Sequence, residues 1–184
     1  MPEIRIANGG LFDPWKPEIK GIKDTPTWDW LGHHLANECR YAGGCKWFYS
    51  VAQHSVLASR YVIDKKYYNT IYDNELRLAA LLHDATEAVL KDIPGPFKKM
   101  WAFEGYKSAE NNLAEWIYKQ FGLRPEYLNA PPIKTIDKEL LDAERAVLFP
   151  DSEYIYSGSI TVEPWDREYA RDEFNRTLLR LAYP

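Results

Sequence analysis

Residues 75–90 read Glu75-Leu76-Arg77-Leu78-Ala79-Ala80-Leu81-Leu82-His83-Asp84-Ala85-Thr86-Glu87-Ala88-Val89-Leu90. Leu76, Ala79, Ala80, Leu82 and Val89 leave little polar surface, so the spacing predicts one central helix over 75–90. Asn74 serves as its N-cap, and Pro94 and Pro96 end it. Inside this greasy run, at His83, Asp84 and Glu87, sit an imidazole and two carboxylates. Ionised side chains are rarely buried unless paired, because taking a charge out of water is costly. In one continuous helix His83 and Glu87 are i,i+4 and Asp84 and Glu87 i,i+3, so they share a face. A divalent cation beside them would compensate the buried carboxylate. The plain structural alternative is a satisfied core histidine next to an Asp bonded to a neighbouring helix.

Outward from this run the chain reads as helices. One is expected over 28–38, with Thr27 as cap, before a loop at Arg40-Tyr41-Ala42-Gly43-Gly44. Ser50 caps a helix to about residue 63. Another over 106–121 is closed by Gly122 and Pro125, and Pro131-Pro132 opens one over 133–148. A last helix covers 163–182. At the N-terminus, Glu3-Ile4-Arg5-Ile6-Ala7 alternates, Asn8-Gly9-Gly10 turns and Leu11-Phe12-Asp13 follows, which makes a short hairpin. Pro14, Pro17, Gly21 and Pro26 argue for an irregular connection after it. The expected fold is all-α, a helical bundle with a short N-terminal β-hairpin. It forms one domain over 1–184: a hairpin and irregular segment at 1–27, a helical core at 28–149 and the C-terminal helix.

The 184 residues are 46% hydrophobic and 27% charged, ordinary globular composition. Against 23 Lys and Arg stand 27 Asp and Glu, a net charge of −4 that argues against a nucleic-acid polymer as partner. Small phosphorylated molecules stay open, since a metal and a few cations hold them locally. No apolar run reaches the length of a membrane span, and no basic n-region precedes an apolar stretch at the N-terminus. Cys39 and Cys45 are the only cysteines, too few for a disulfide framework. A cytoplasmic location is the expectation.

Two further helices repeat the oddity of the central one. His54 lies in Val51-Ala52-Gln53-His54-Ser55-Val56, and Asp137 shares a face with Ile133 and Leu140. Singly, each is an ordinary structural residue. Together with His83 and Asp84 they offer two imidazole nitrogens and two carboxylates, a mixed set that suits Mn, Co, Ni or Zn. Four such ligands leave positions for water or phosphate oxygen on an octahedral ion.

The order His54, His83-Asp84, Asp137 resembles the signature of the HD-domain metal-dependent phosphohydrolases. The wider text is more specific: Arg40-Tyr41-x-Gly43, Phe48-Tyr49-Ser50-Val51-Ala52-Gln53-His54-Ser55-Val56, Leu81 through Ala88, and Asp92-Ile93-Pro94-x-Pro96-x-Lys98. These stretches are similar to bacterial 5′-deoxynucleotidases and phage dATP triphosphohydrolases. Asn8-Gly9-Gly10-Leu11-Phe12-Asp13 and the spacing from His33 to Arg40 lean toward the phage type. The resemblance spans about residues 4–148; the last 36 contribute no motif.

What the resemblance implies follows position by position. His54, His83, Asp84 and Asp137 match metal ligands for Co, Zn, Mn or Ni. Glu87 matches the carboxylate that orients or deprotonates the attacking water. Asp92 matches a second acidic residue beside it, and these two could share a second divalent ion. Arg40 matches the phosphate-side arginine and Lys98 a basic residue near the phosphates. Tyr41 takes the place of an aromatic that crowds the sugar, a Trp in the deoxynucleotidases. His33, rather than His34, matches a histidine of the preceding helix. The implied activity is hydrolysis of dATP to deoxyadenosine and triphosphate, with phosphate release from deoxynucleoside monophosphates as alternative. A homo-oligomer, dimer or hexamer, is implied, in the host cytoplasm if phage-encoded. A non-catalytic nucleotide or metal sensor and an alarmone hydrolase are lower alternatives; an intact Glu87 and Asp92 argue against the first.

Other features read as structural. Cys39-x5-Cys45 with His33 and His34 fits no common zinc spacing. Gly43-Gly44 lacks the Lys-Ser or Lys-Thr of a phosphate-binding loop. Ser50 is better placed as a cap than as a nucleophile. Glu144 lies two turns from Asp137 on one face, which suits a salt bridge within the bundle. Trp28, Trp30, Trp47 and Trp101 suit core or subunit contacts.

Overall fold

The computed structural model describes residues 3–21, 28–62, 71–151 and 153–183. At the N-terminus β1 (Ile4–Arg5) and β2 (Leu11–Phe12) pair antiparallel across the turn at Gly9, whose φ of +87° only glycine adopts freely. The expected hairpin is extended by a third strand, β3 (Ile19–Lys20), which pairs Phe12 with Ile19. The cause is Asp13: its carboxylate accepts from the backbone N–H of Trp15 and Lys16 at 2.9 and 3.3 Å. This local turn sends the chain back along β2, so the proline-rich segment is not wholly irregular.

Helix α1 (Asp29–Asn37) follows, and Thr27 lies outside the described residues. A 3₁₀ turn over Arg40–Gly43 leads to α2 (Val51–Tyr61). Ser50 caps α2 as expected, its side chain accepting from Gln53 N–H. From Val51 to Ser59 every residue of α2 is buried, which makes it the innermost helix.

The central helix is a correction. Helix α3 (Ile71–Leu82) starts before Asn74, so Asn74 caps nothing, and it stops at Leu82. Residues 83–86 form turns with i→i−3 hydrogen bonds, such as Ala85 N–H to Leu82 O, before the short α4 (Glu87–Leu90). His83 is part of the reason. Its Nδ1 donates at 2.7 Å to Ala80 O, the carbonyl that Asp84 N–H would use if the helix continued. His83 and Glu87 are therefore not stacked on one regular helix face.

Short α5 (Gly95–Lys98) precedes α6 (Glu104–Gln120), and Gly122, at φ +67°, turns the chain after α6. Helix α7 (Pro131–Leu148) begins at the paired prolines. The last helix, α8 (Arg167–Ala182), starts later than the sequence pattern implied, at the Asp166 cap. Residues 163–165 stay outside the helix, where the buried Gln53 amide donates to Glu163 O at 2.6 Å and accepts from Trp165 N–H at 2.9 Å.

Buried apolar residues from β2 and the long helices form one cluster, with α8 packed on α1, α2 and α3. Trp28, Trp30, Trp116, Phe12 and Phe121 stack by tilted ring contacts 4.9–6.2 Å apart, which joins the sheet to α1 and α6. His34 ties the sheet to α4: Nδ1 donates to Ala88 O at 3.0 Å, and Nε2 accepts from Ala7 N–H at 3.1 Å. Among the described residues no helix is long and apolar enough to cross a membrane.

Candidate metal centre

His54 projects from the middle of α2 and is fully buried. Its Nδ1 lies 2.6 Å from Glu144 Oε1. A carboxylate and a carbonyl accept only, so His54 and His83 both carry their ring hydrogen on Nδ1 in these bonds. Their Nε2 atoms are left facing one another at 3.2 Å. Two ring lone pairs that close need a cation or a proton between them.

Two carboxylates complete the group. Asp137 Oδ1, from α7, lies 3.2 Å from His54 Nε2 and 3.9 Å from His83 Nε2. Asp84 Oδ2, from the turn after α3, lies 3.6 and 3.3 Å from the same atoms. An ion bound at about 2.1 Å sets neighbouring donors about 3.0 Å apart in octahedral and about 3.4 Å apart in tetrahedral geometry. The donor set fits a divalent transition ion, and His54, His83 and Asp137 gather tightly enough to hold one. Two helices and the turn after α3 must pack before these atoms meet.

The titration behaviour follows from the same distances. Burial pulls the His83 imidazolium down, but Asp84, Asp137 and the Ala80 carbonyl outweigh it and raise the pKa to about 9. His54 is also raised: burial and Arg40 oppose its charge, while Glu144 and Asp137 favour it more strongly. Burial pushes Asp137 and Asp84 up, yet the two imidazoles bring both below the usual carboxylate range. In this state cationic imidazole does part of the work a metal ion would do.

Arg40 reaches the centre directly. Its Nη1 donates to Asp84 Oδ2 at 3.3 Å and its Nε to Glu144 Oε2 at 3.2 Å. Tyr41 is placed differently from a sugar-facing aromatic. Its hydroxyl donates to Glu144 Oε2 at 2.7 Å, and its ring meets the edge of Phe149. Tyr41 and Ala42 have φ of 58° and 50°, strained for side-chain-bearing residues.

Glu87, Asp92 and Lys98 form an adjoining group. Glu87 is buried at the start of α4, with Oε1 3.5 Å from Lys98 Nζ. Its Oε2 makes no hydrogen bond among the described residues. Burial, then Asp84 and Asp92, push the Glu87 carboxyl well above its usual range. Asp92 is raised by burial in the same way, and its backbone N–H donates to Glu38 Oε1. Lys98 is held at 2.7 Å by Glu110. His33 stays apart: it is exposed on α1, with its ring against His34, and no hydrogen bond or ion pair joins it to the cluster among the described residues. Cys39 and Cys45 are free thiols.

A polar cleft of about 320 Å³ opens on the centre, lined by His83, Asp84, Thr86, Asn111, Glu115 and Asn129. That volume is at the small end of ligand pockets. The contributions of α6 and of the 3₁₀ turn over Pro125–Asn129 to this cleft carried no signal in the sequence pattern. Glu144 was legible as a bundle salt bridge but not as the partner of His54. Its signal was position, seven residues after Asp137 on the buried face of α7.

No family model matches the chain. It is 35% identical over 150 residues to "Uncharacterized protein RCAP_rcc00048" of Rhodobacter capsulatus, covering 78% of this chain and 70% of that protein. It is 40% identical over 111 residues to "Uncharacterized protein YfdR" of Escherichia coli, covering 60% of this chain. The match spans 54% of that relative's length.

Proposed function

The chain belongs to the family of the Rhodobacter capsulatus protein RCAP_rcc00048, and from that premise and its buried donor cluster we propose a metal-dependent phosphohydrolase of deoxynucleotides with an HD-type helical core. The observation that carries the reading is the pair of Nε2 atoms 3.2 Å apart, backed by acceptors on Nδ1 and flanked by Asp84 and Asp137. The favoured substrate is dATP, cleaved between the α-phosphorus and O5′ to give deoxyadenosine and triphosphate.

His54, His83, Asp84 and Asp137 would hold the ion. When bound, it supplies charge neutralisation of the phosphate and a lowered pKa for coordinated water. The remaining work falls to side chains. Glu87, made more basic by burial and by Asp84 and Asp92, suits acceptance of a proton from the attacking water when ionised. The proton can then pass to the leaving O5′, with Asp92 at hand as a second carboxyl. Arg40 and Lys98 donate to non-bridging oxygens; Glu144 and Glu110 fix their directions. The cleft beside His83 carries Glu115 and two asparagines rather than cations, so it suits the uncharged nucleoside end.

The test is product analysis. Metal-stripped protein is reloaded with Co, Mn, Zn or Mg and given dNTPs, NTPs and dNMPs. Deoxyadenosine with intact triphosphate from dATP is the expected result. Phosphate from dNMPs alone would make it a 5′-deoxynucleotidase. No turnover with any metal overturns the hydrolase reading for these substrates.

A further inference from the structure

We propose that Glu144 is a positioning residue that serves the metal ligand and the phosphate-side cation together, so that one buried carboxylate sets both affinities. The metal half stands on geometry alone; the anion half rests on the hydrolase reading above.

Glu144 has no solvent exposure and uses both oxygens. Oε1 accepts from His54 Nδ1, and Oε2 accepts from Arg40 Nε and Tyr41 OH. A salt bridge needed only for stability would be complete with Arg40. Here each principal donor has its other end at the centre: His54 presents Nε2 to Asp137, and Arg40 presents Nη1 to Asp84. Tyr41 adds a second bond on the strained turn that carries Arg40, so the same carboxylate holds that turn against relaxation. Burial opposes its charge, but Arg40, His54 and Tyr41 keep the carboxyl below its usual range and therefore anionic. Tyr49 is buried beside it, and burial and the Glu144 charge push its hydroxyl well above the phenol range.

An amide at this position has one accepting atom where the carboxylate has two. Glu144→Gln must leave either His54 or the Arg40–Tyr41 pair without an acceptor. Glu144→Asp keeps the charge but shortens the reach, so it cannot meet both sets of donors.

The experiment uses the full-length chain. Co(II) affinity is read from its visible absorption with a competing chelator, and inorganic phosphate binding is measured at saturating Co(II). Glu144→Gln is expected to weaken Co(II) about 10- to 100-fold, the usual cost of losing such a supporting bond. Phosphate binding weakens as well. Arg40→Met weakens phosphate at saturating Co(II), and combining the two variants weakens phosphate no further than Arg40→Met alone. Glu144→Asp provides the same readings should the amide variant fail to fold. Parent-like Co(II) affinity in both Glu144 variants overturns the proposal. Loss of metal affinity with unchanged phosphate binding, or additive phosphate effects, overturns the shared role. Absence of hydrolysis in the parent bears on the proposed activity and not on these equilibrium measurements.

Discussion

Gly32→Ala sets two physical effects against each other at the contact between α1 and α8. A Cβ at Gly32 would lie 2.2 Å from Asn175 Oδ1, 2.8 Å from its Cγ and 3.2 Å from the backbone carbonyl of Arg171. Helix propensity favours Ala over Gly by about 0.8–1.0 kcal/mol. Overpacking of a close contact costs about 1–3 kcal/mol. The Asn175 amide must rotate away and give up its long 3.4 Å bond to Asp29 O, while the backbone approach to Arg171 persists. The net expectation is a loss of up to about 2 kcal/mol, measured by urea unfolding followed by circular dichroism. For a chain of this length that is a drop in Tm of about 2–4 °C per kcal/mol. In an Asn175→Ala background the nearest obstruction is gone, so Gly32→Ala should be neutral or stabilising there. The coupling between the two sites should then reach about 2 kcal/mol. A stabilising Gly32→Ala in both backgrounds would refute the close approach of α1 to α8.

Two further outcomes follow from particular residues. Burial, helped by Lys91 and His33, holds the His34 pKa below its usual 6.5 despite the Ala88 carbonyl. Between the folded value and about pH 6.5 the unfolded chain then binds more protons, so His34 contributes stability that is full above about pH 6.5 and lost as the pH falls through its folded pKa. The stability difference between parent and His34→Gln should therefore shrink on acidification across that window; a difference that is flat or grows would sink the assignment. If the proposed hydrolysis is the activity, Glu87→Gln should cut turnover of the metal-loaded protein by about 10²- to 10⁴-fold while Co(II) binding stays within a few-fold of the parent. Equal loss of metal binding would place Glu87 among the metal ligands.

The helical class was legible because the apolar spacing of α2, α6 and α7 follows a helix period and Ser50 and Pro131 mark starts. Chemistry hid the break after Leu82. His83-Asp84 looks like a continuation of an apolar helix, and only the imidazole bond to Ala80 O shows that the ladder changes there. Likewise β3 depends on an Asp13 turn that cannot be read from two isolated residues, Ile19 and Lys20. Of the site, His54, His83, Asp84, Asp137 and Arg40 come together as one group, and Glu87, Asp92 and Lys98 as its neighbour. Tyr41 could be placed in the chain but not in space. Its left-handed backbone and the pull of Glu144 direct it behind the centre, and neither is visible in a one-dimensional pattern.

The accessibility of the four donors is uneven. The His54 side chain is sealed at 0% exposure, whereas that of Asp137 is 49% exposed. Among the described residues the donor group thus has a back wall at His54 and a doorway at Asp137 and the turn at Asp84, past which a bound ion would enter and leave. Exchange is then a matter of passage through that doorway rather than of opening the bundle. A small chelator should strip the metal at a rate indifferent to mild denaturant, and a chelator tethered to a bulky carrier should be slowed according to its size.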